Sequence, residues 1–231
     1  MNLDWTRLVR GAALLAWAGF FDWLWLSGRA GDYVGPKTAW VVPFGGIVLT
    51  ITALLYARGI RAPGSARGPS ARELVGLLAL LAPLLLVAAA PSSSLGALAV
   101  ERKRSTGDQR AAVSRLDRTG DLTLYDIAVA NASADYATER QISDGVKVTI
   151  DGLVSKASDG ETFEFSRFLA SCCAADAMPY SIRVQPTGEA PPLELSQWLE
   201  VTGTVRSTEA GFIVAAEEIR PIDRPANPYG V

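Results

Sequence analysis

The chain has 231 residues, of which 49% are hydrophobic and 20% are charged, with a formal net charge of −2 and no histidine. The lack of histidine excludes Ser-His-Asp and Cys-His catalysis and HExxH-type zinc sites within the chain. The sequence has no basic stripe interleaved with aromatic residues, so we expect no nucleic-acid partner.

Three long apolar runs lie in the first 100 residues, at about Leu8–Ser27, Thr38–Ala57 and Leu74–Leu98. An α-helix rises 1.5 Å per residue, so about 20 residues cross a hydrocarbon core of roughly 30 Å. The pattern predicts that residues 1–100 form a domain of three transmembrane helices in the lipid bilayer. The first run is rich in tryptophan and lacks a clear cleavage site after it, so we interpret it as a retained span rather than a signal peptide.

The loop between the second and third runs indicates the orientation. It holds four arginines, Arg58, Arg61, Arg67 and Arg72. Basic residues in short loops favour the cytoplasmic side, so this loop is predicted to be cytoplasmic. Three spans then place the C-terminal domain outside the cytoplasm, in a multi-pass protein of the cell membrane. The basic residues 102–104 argue for the opposite orientation.

Asp22 is the one acidic residue inside the predicted spans. A charged group in a bilayer is costly unless it is paired or faces a wet or protein-filled space. Two interpretations stay open. The carboxylate reaches the interface or pairs with Arg29, or it faces a partner protein or a transport pathway.

Residues 101–144 are polar and irregular, and we predict that they form a connector. A short helix is expected around Asp108–Leu116 and a turn at Arg118–Asp121. One or two elements of the connector should pack on the domain that follows.

Apolar and polar residues alternate from residue 145 onwards, which is typical of strands with one buried face. Gly152 and Gly203 fall inside two of these segments, where a glycine often marks a bulge or a tight bend of a barrel. The fold class is therefore a membrane α part followed by an all-β part, in which residues 145–231 form a small OB-like five-stranded β-barrel. An open five-stranded sandwich is the alternative. The five strands are predicted at Lys147–Val154, Thr162–Phe168, Tyr180–Val184, Trp198–Val205 and Phe212–Ile222.

The alternation also predicts the barrel core. Trp198 opens the fourth strand and should pack against the barrel. The side chains expected to be buried are Val148, Ile150, Phe163, Phe165, Val201 and Val205.

The chain's two cysteines, Cys172 and Cys173, are adjacent, and Asp176 follows three residues later. Together they form a compact set of candidate ligands for a soft metal ion. Two thiolates and one carboxylate are too few for a closed structural zinc site, so a further ligand would come from water, a partner or the substrate. The pair can instead close a strained, labile disulfide, or simply pack in an alanine-rich patch.

A set of motifs connects this chain with a known family. The most specific segment runs from Arg167 through Cys172-Cys173-Ala174-Ala175-Asp176-Ala177 to Pro179, and a Ser27-Gly28 to Pro36 loop lies between the first two apolar runs. Over essentially its whole length the chain resembles the YcgQ-like family of bacterial membrane proteins, which are described as permease subunits. The resemblance implies a membrane complex with a multi-span YcgR-like permease as partner, without indicating a substrate or reaction.

We therefore expect an accessory subunit of a bacterial membrane permease, whose β domain gates or presents a ligand. In this hypothesis Cys172, Cys173 and Asp176 bind a soft metal ion. A vicinal-dithiol redox protein and a purely structural protein-binding module are the alternatives. We expect no enzymatic activity, because the remaining route to an activated nucleophile is a cysteine whose pKa is lowered by Arg167, and that requires the fold to bring the two together.

Overall fold

The computed structural model of the protein describes residues 5–58, 70–89, 95–104, 120–157, 161–188 and 192–230. These residues divide into two compact units. The first contains the described residues of Met1–Tyr33 and Thr38–Ser92, and the second contains those of Val34–Lys37 and Ser93–Val231. The predicted helix at 108–116 and the first two residues of the predicted turn at 118–121 lie outside the described residues.

The first unit consists of three helices, α1 (Trp5–Leu26), α2 (Val41–Arg58) and α3 (Ala71–Ala89). Helices α1 and α2 approach closely where α2 has glycines, because a side chain at Gly45 would meet the Phe21 ring at 3.3 Å. Close approach through small residues is typical of helix pairs in membranes. Helices α1 and α3 are joined by an ion pair of 2.7 Å between Arg10 and Glu73.

One helical stretch among the described residues, Pro36–Arg58, is long and apolar enough to cross a membrane. Its most apolar window has a mean hydropathy of 1.9, and 17% of that window is buried, whereas the core helix of a soluble protein is mostly buried. The second predicted span therefore has the length and composition it needs. The three-span arrangement stays a prediction, and residues 90–94 of the third apolar run lie outside the described residues.

The second unit is built around a closed, mixed β-barrel of five strands. The barrel order is β1-β4-β5-β3-β2, closed by pairing of β1 with β2. Strands β3 and β5 are parallel and the other neighbours are antiparallel. The five-stranded barrel is thus confirmed, and closure excludes the open sandwich. The strands are β1 (Lys147–Lys156), β2 (Phe163–Leu169), β3 (Met178–Pro186), β4 (Trp198–Thr208) and β5 (Gly211–Pro221).

The two mid-strand glycines stand where the barrel needs them. Strand β1 changes partner just after Gly152, since Leu153 pairs with Trp198 on β4 and also with Ser166 on β2. A Cβ at Gly152 would lie 2.8 Å from the carbonyl oxygen of Ser166. Gly203 sits beside a bulge in the β4–β5 ladder, where the register shifts after Thr202. The prediction that a mid-strand glycine marks a bulge is confirmed at Gly203, and at Gly152 the glycine allows close approach of the two strands.

The barrel core contains the residues expected from the alternating pattern. All six predicted side chains are at most 5% exposed, and Trp198 is 7% exposed. The core is completed by two helices, α5 (Leu124–Ala132) and α6 (Ala134–Glu139). Both lie in the predicted connector, so the expectation that one or two of its elements pack on the β domain is confirmed. The helical residues that join the core cluster include Leu124, Tyr125, Ile127, Val129 and Tyr136.

Helix α5 begins with a capping box. Thr123 accepts a hydrogen bond from the backbone N–H of Asp126, and the Asp126 carboxylate accepts one from the Thr123 N–H at 2.8 Å. The carboxylate of Asp126 is 1% exposed and also accepts hydrogen bonds from the hydroxyl of Tyr136 at 2.6 Å and from Nε of Arg140 at 3.2 Å. Burial of this charge is therefore compensated by hydrogen bonds from four donors, among them the Thr123 hydroxyl at 2.6 Å.

A second, smaller core cluster lies beside the first. Val100 of α4 (Ala97–Arg104) packs there with Phe168, Trp198 and Tyr229, and all four are at most 7% exposed. Tyr229 and Gly230 form a short sixth strand, β6, parallel to β2. The sequence did not predict β6, because two residues are too few to show alternation.

We expect Gly203→Ala to destabilise the barrel by about 2–3 kcal/mol, because the added Cβ would overlap the backbone carbonyl of Ala215, which cannot move without breaking the ladder. Urea unfolding of the full chain in detergent, followed by circular dichroism, measures this. Gly188→Ala is the control, since nothing lies within 4 Å of its Cβ position. Equal stability of the two variants would contradict the close approach at Gly203.

Candidate functional site

The two cysteines lie in the turn that joins β2 to β3. Strand β2 ends at Leu169, a short 3-10 helix covers Ala174–Asp176, and β3 begins at Met178. We call residues 170–177 the cysteine turn. The thiol of Cys172 is exposed and that of Cys173 is half-buried, and neither forms a disulfide. Their Sγ atoms are 3.6 Å apart, so the structure holds them as a dithiol in contact.

Asp176 fixes the backbone of the two cysteines. Its Oδ2 accepts a hydrogen bond from the Cys172 N–H at 3.0 Å, and its Oδ1 accepts one from the Cys173 N–H at 3.2 Å. Burial raises the pKa of this carboxyl, but hydrogen bonds from the backbone of Cys173, Cys172 and Ser171 outweigh it, and the net pKa is lowered. Asp176 therefore remains ionised and holds the turn in place.

The structure brings the three predicted metal ligands together. The Sγ atoms of Cys172 and Cys173 and a carboxylate oxygen of Asp176 lie within 4.8 Å of one another. Sequence reasoning treated Asp176 as a ligand alone and missed its role in holding the turn. The signal was present, because Cys173-x-x-Asp176 has the spacing of a capping box with a thiol in place of the hydroxyl.

The two thiols differ in acidity. The pKa of Cys173 is lowered, chiefly by the backbone N–H of Ala175, then by the Cys172 thiol and the backbone N–H of Asp176. The pKa of Cys172 is raised to about 11, chiefly by its hydrogen bond to Cys173 and then by Asp176. Cys173 is therefore the first of the pair to ionise, with the Cys172 thiol as donor to the thiolate.

A lysine from outside the turn binds its carbonyl groups. Nζ of Lys103, on α4, donates to the carbonyl oxygens of Ala174 at 3.0 Å, Ala175 at 3.2 Å and Ala177 at 2.9 Å. An ammonium group surrounded by three carbonyls is a set of charge-assisted hydrogen bonds, which are stronger than neutral ones. Sequence reasoning used Lys103 only as a topology signal, because nothing local links it to a turn 71 residues away.

A further segment pairs with the cysteine turn along its backbone. Val34 forms an antiparallel bridge with Cys173, and the N–H of Gly35 donates to the carbonyl oxygen of Cys172 at 3.0 Å. The fit is close, since a Cβ at Gly35 would lie 3.2 Å from the carbonyl oxygen of Ala170. The segment 34–37 belongs to the barrel unit although it lies far from the barrel in sequence.

Arg167 is engaged with other partners than the cysteines. It forms an ion pair with Asp151, and its guanidinium lies 6.0 Å from the centre of the Trp198 ring. Arg167 and Asp151 line a cavity of about 430 Å³ next to the N-terminal turn of α5, together with Tyr125. The Tyr125 hydroxyl donates to the carbonyl of Phe168 at 2.8 Å, and burial raises its pKa well above the usual range.

Asp22 lies within the helical unit. Its carboxylate contacts Gly46 of α2, where a Cβ would overlap it, and it accepts a hydrogen bond from the Thr50 hydroxyl at 3.2 Å. Arg29, the partner considered from the sequence, lies over the Trp23 ring at 5.4 Å from its centre. Asp22 is thus satisfied in part by the neighbouring helix.

Comparison with known proteins identifies the family. Residues 102–230 match the family described as the DUF1980 C-terminal domain, and the chain belongs to that family. No curated protein matches the chain. Among solved structures, a DUF3299 family protein from Pseudomonas aeruginosa PAO1 is 18% identical over 45% of this chain and 96% of its own, with a TM-score of 0.27. That degree of similarity supports no argument. Resemblance to the YcgQ-like permease subunits stays a prediction.

We expect the two thiols to alkylate over separate pH ranges. Cys173 should react with iodoacetamide from a pH below the usual thiol pKa of about 8.5, and Cys172 should react with a midpoint near pH 11. Short labelling pulses followed by fragment-ion mass spectrometry assign each site. In the urea-unfolded chain both thiols should titrate together near the usual value. Identical midpoints in the folded protein would contradict the asymmetry.

Proposed function

We propose that this protein is a membrane-anchored accessory subunit of a bacterial permease complex, and that its barrel captures a soft metal or metalloid ion at Cys172 and Cys173. The observation that carries the proposal is a pair of thiols, one exposed and one half-buried, held 3.6 Å apart on a fixed turn. Thiolate sulfur is the preferred protein ligand of soft ions.

The separation of the two sulfurs fits one edge of a metal–thiolate centre. Two metal–sulfur bonds of about 2.3 Å that meet at a tetrahedral angle place the sulfurs about 3.8 Å apart. The observed distance of 3.6 Å is close to this value. An ion that requires a linear arrangement would need the same sulfurs about 4.6 Å apart. The pair therefore favours ions that accept bent S–M–S geometry.

The site is incomplete as a coordination shell, and this suits transient capture. Both oxygens of Asp176 already accept backbone hydrogen bonds, which leaves the two thiolates as the principal ligands. Structural zinc sites in proteins are closed by four protein ligands. Here the remaining positions are left for water, the cargo's own ligands or a side chain of the permease, so an ion can be passed on.

Several features support the membrane and permease parts of the proposal. The stretch Pro36–Arg58 is apolar and long enough to span a bilayer, and two further apolar runs flank it in sequence. The barrel's strand order is that of an OB-like fold, which often uses its loops for binding. The arginine-rich loop between the second and third runs favours three spans with the barrel on the extracytoplasmic side. The multi-span YcgR-like permease is the proposed partner.

Cadmium is a suitable probe of the site. We expect the full chain, reduced and in detergent, to bind one Cd²⁺, seen as thiolate-to-metal absorption in the ultraviolet. Cys172→Ser and Cys173→Ser should each abolish the signal with the circular dichroism spectrum unchanged. Asp176→Asn should weaken binding less, because a carboxylate is a poor ligand for a soft ion. Glu218→Gln is the control, since that carboxylate is exposed on β5.

The same experiment separates the alternatives. Unchanged Cd²⁺ binding in the Cys172→Ala/Cys173→Ala variant would overturn the proposed site. A wild-type chain that binds no Cd²⁺ but titrates as a reversible two-electron couple would favour the dithiol redox function, for which the contact of the two Sγ atoms at 3.6 Å is the supporting observation.

The proposed orientation has its own test. We expect a reporter that is active only outside the cytoplasm to be active when fused after Val231 and silent when inserted within residues 61–67. The reason is that arginine-rich short loops are retained on the cytoplasmic side. A cytoplasm-specific reporter at the same two sites is the control and should give the reverse pattern. Activity of the first reporter at 61–67 alone would place the barrel in the cytoplasm.

A further inference from the structure

We infer that ion binding at Cys172 and Cys173 is coupled to docking of the segment 34–37 onto the cysteine turn, so that each favours the other. This inference rests on the proposed function, because it concerns the regulation of that same site. It goes further by naming the structural element that responds to the ion.

The docked segment contacts the two residues that carry the sulfurs. The N–H of Gly35 donates to the carbonyl oxygen of Cys172, and Val34 pairs with Cys173. Both contacts are to the two residues that carry the sulfurs. Cys173 has an extended backbone, with φ −156° and ψ 171°, as an antiparallel bridge requires. The orientation of its Cα–Cβ bond, and hence the position of Sγ, follows from that backbone.

The other contacts of the turn hold different groups. Asp176 binds the N–H groups of Cys172 and Cys173, and Lys103 binds the carbonyl oxygens of Ala174, Ala175 and Ala177. The Cys172 carbonyl is held by Gly35 instead. Loss of this bond leaves the peptide group between the two sulfur-bearing residues held by Asp176 at its N–H alone, and so less well ordered. An ion that binds two sulfurs then has to order that peptide itself, at a cost in affinity.

The docked segment is continuous in sequence with an apolar helical stretch. Gly35 is followed directly by Pro36, the first residue of the stretch Pro36–Arg58 that is long and apolar enough to span a membrane. The segment that responds to the ion is therefore continuous with a candidate span.

Because ion binding and docking are thermodynamically linked, the coupling can be measured either as ion affinity or as stability of the docked segment. If docking raises ion affinity by some factor, ion binding must stabilise docking by the same factor. The structure offers a substitution that weakens docking without touching a thiol. Gly35→Ala places a Cβ 3.2 Å from the carbonyl oxygen of Ala170, closer than ordinary van der Waals contact, so the segment and the turn have to separate by a few tenths of an ångström. Gly188→Ala in the same unit is the matched control, because its Cβ position is open.

The first arm measures Cd²⁺ affinity of the full chain in detergent. Gly35→Ala should lower the affinity about 5- to 20-fold, within the usual range of coupling, with both thiols present and the circular dichroism spectrum retained. Gly188→Ala should bind as the wild type does. Lys103→Met should also lower the affinity, and Lys147→Met, an exposed lysine on β1, should not.

The second arm uses the wild-type chain alone and needs no variant to fold. Hydrogen exchange at the Gly35 amide should slow on saturation with Cd²⁺ by a factor similar to the affinity loss in Gly35→Ala. Exchange of the Gly188 amide should stay unchanged. Two results would overturn the coupling and leave the proposed function intact. One is Cd²⁺ binding by the wild type with no change in exchange of the Gly35 amide. The other is equal Cd²⁺ affinity of Gly35→Ala and the wild type. Absence of Cd²⁺ binding by the wild type would overturn both.

Discussion

Strand β1 must pair with two different neighbours to close the barrel, and it does so by changing partner at Gly152. Its residues Lys147 to Leu153 pair with β4, and its last residues, from Leu153 on, pair with β2. Any side chain at the crossing point would collide with the backbone of β2, whose Ser166 carbonyl lies 2.8 Å from the Cβ position. Because β2 is fixed by this closure, the turn that follows it has a fixed starting point, and so do the two cysteines. A barrel without free edges along its closed strands also removes the pairing sites through which sheets aggregate.

The cysteine turn itself has little secondary structure, so its backbone groups need partners from elsewhere. The N–H groups face the Asp176 carboxylate, and three carbonyl groups face the Lys103 ammonium. Each charge sits where the dipoles of the turn stabilise it, and the hydrogen bonds are charge-assisted. Lysine loses considerable side-chain entropy when it is ordered in this way. The gain is a dithiol whose geometry is set before a ligand arrives, which lowers the entropy cost of binding.

The sequence predicted what is local and periodic. Alternation of apolar and polar residues predicts the five strands and the buried positions such as Phe163 and Val201, because one face of each strand meets the core. The adjacency of Cys172, Cys173 and Asp176 predicts their cluster. Contacts between distant segments leave no such signal. Lys103 and Gly35 reach the turn only after folding. Arg167 lies five residues before Cys172 in sequence, but it forms its ion pair with Asp151 on β1. Helix α5 has no amphipathic pattern to detect, because its residues from Leu124 to Ala130 are all buried, and α6 has only six residues.

The number of ligands decides how long an ion stays at such a site. In the proposed role, a closed site of four protein ligands would retain the ion and prevent its transfer to the permease. A single thiolate would bind too weakly to select a soft ion over other hydrated metal ions. A pair of thiolates on a preorganised turn lies between these limits. The third and fourth coordination positions of the ion are then available to the next protein or ligand that contacts the turn. If that partner supplies stronger ligands in a better geometry, the ion moves on, and the segment at 34–35 is released from the constraint that the ion imposed. Because docking and ion binding favour each other, release of the ion also weakens docking of the segment, and the turn regains its full affinity when the segment docks again.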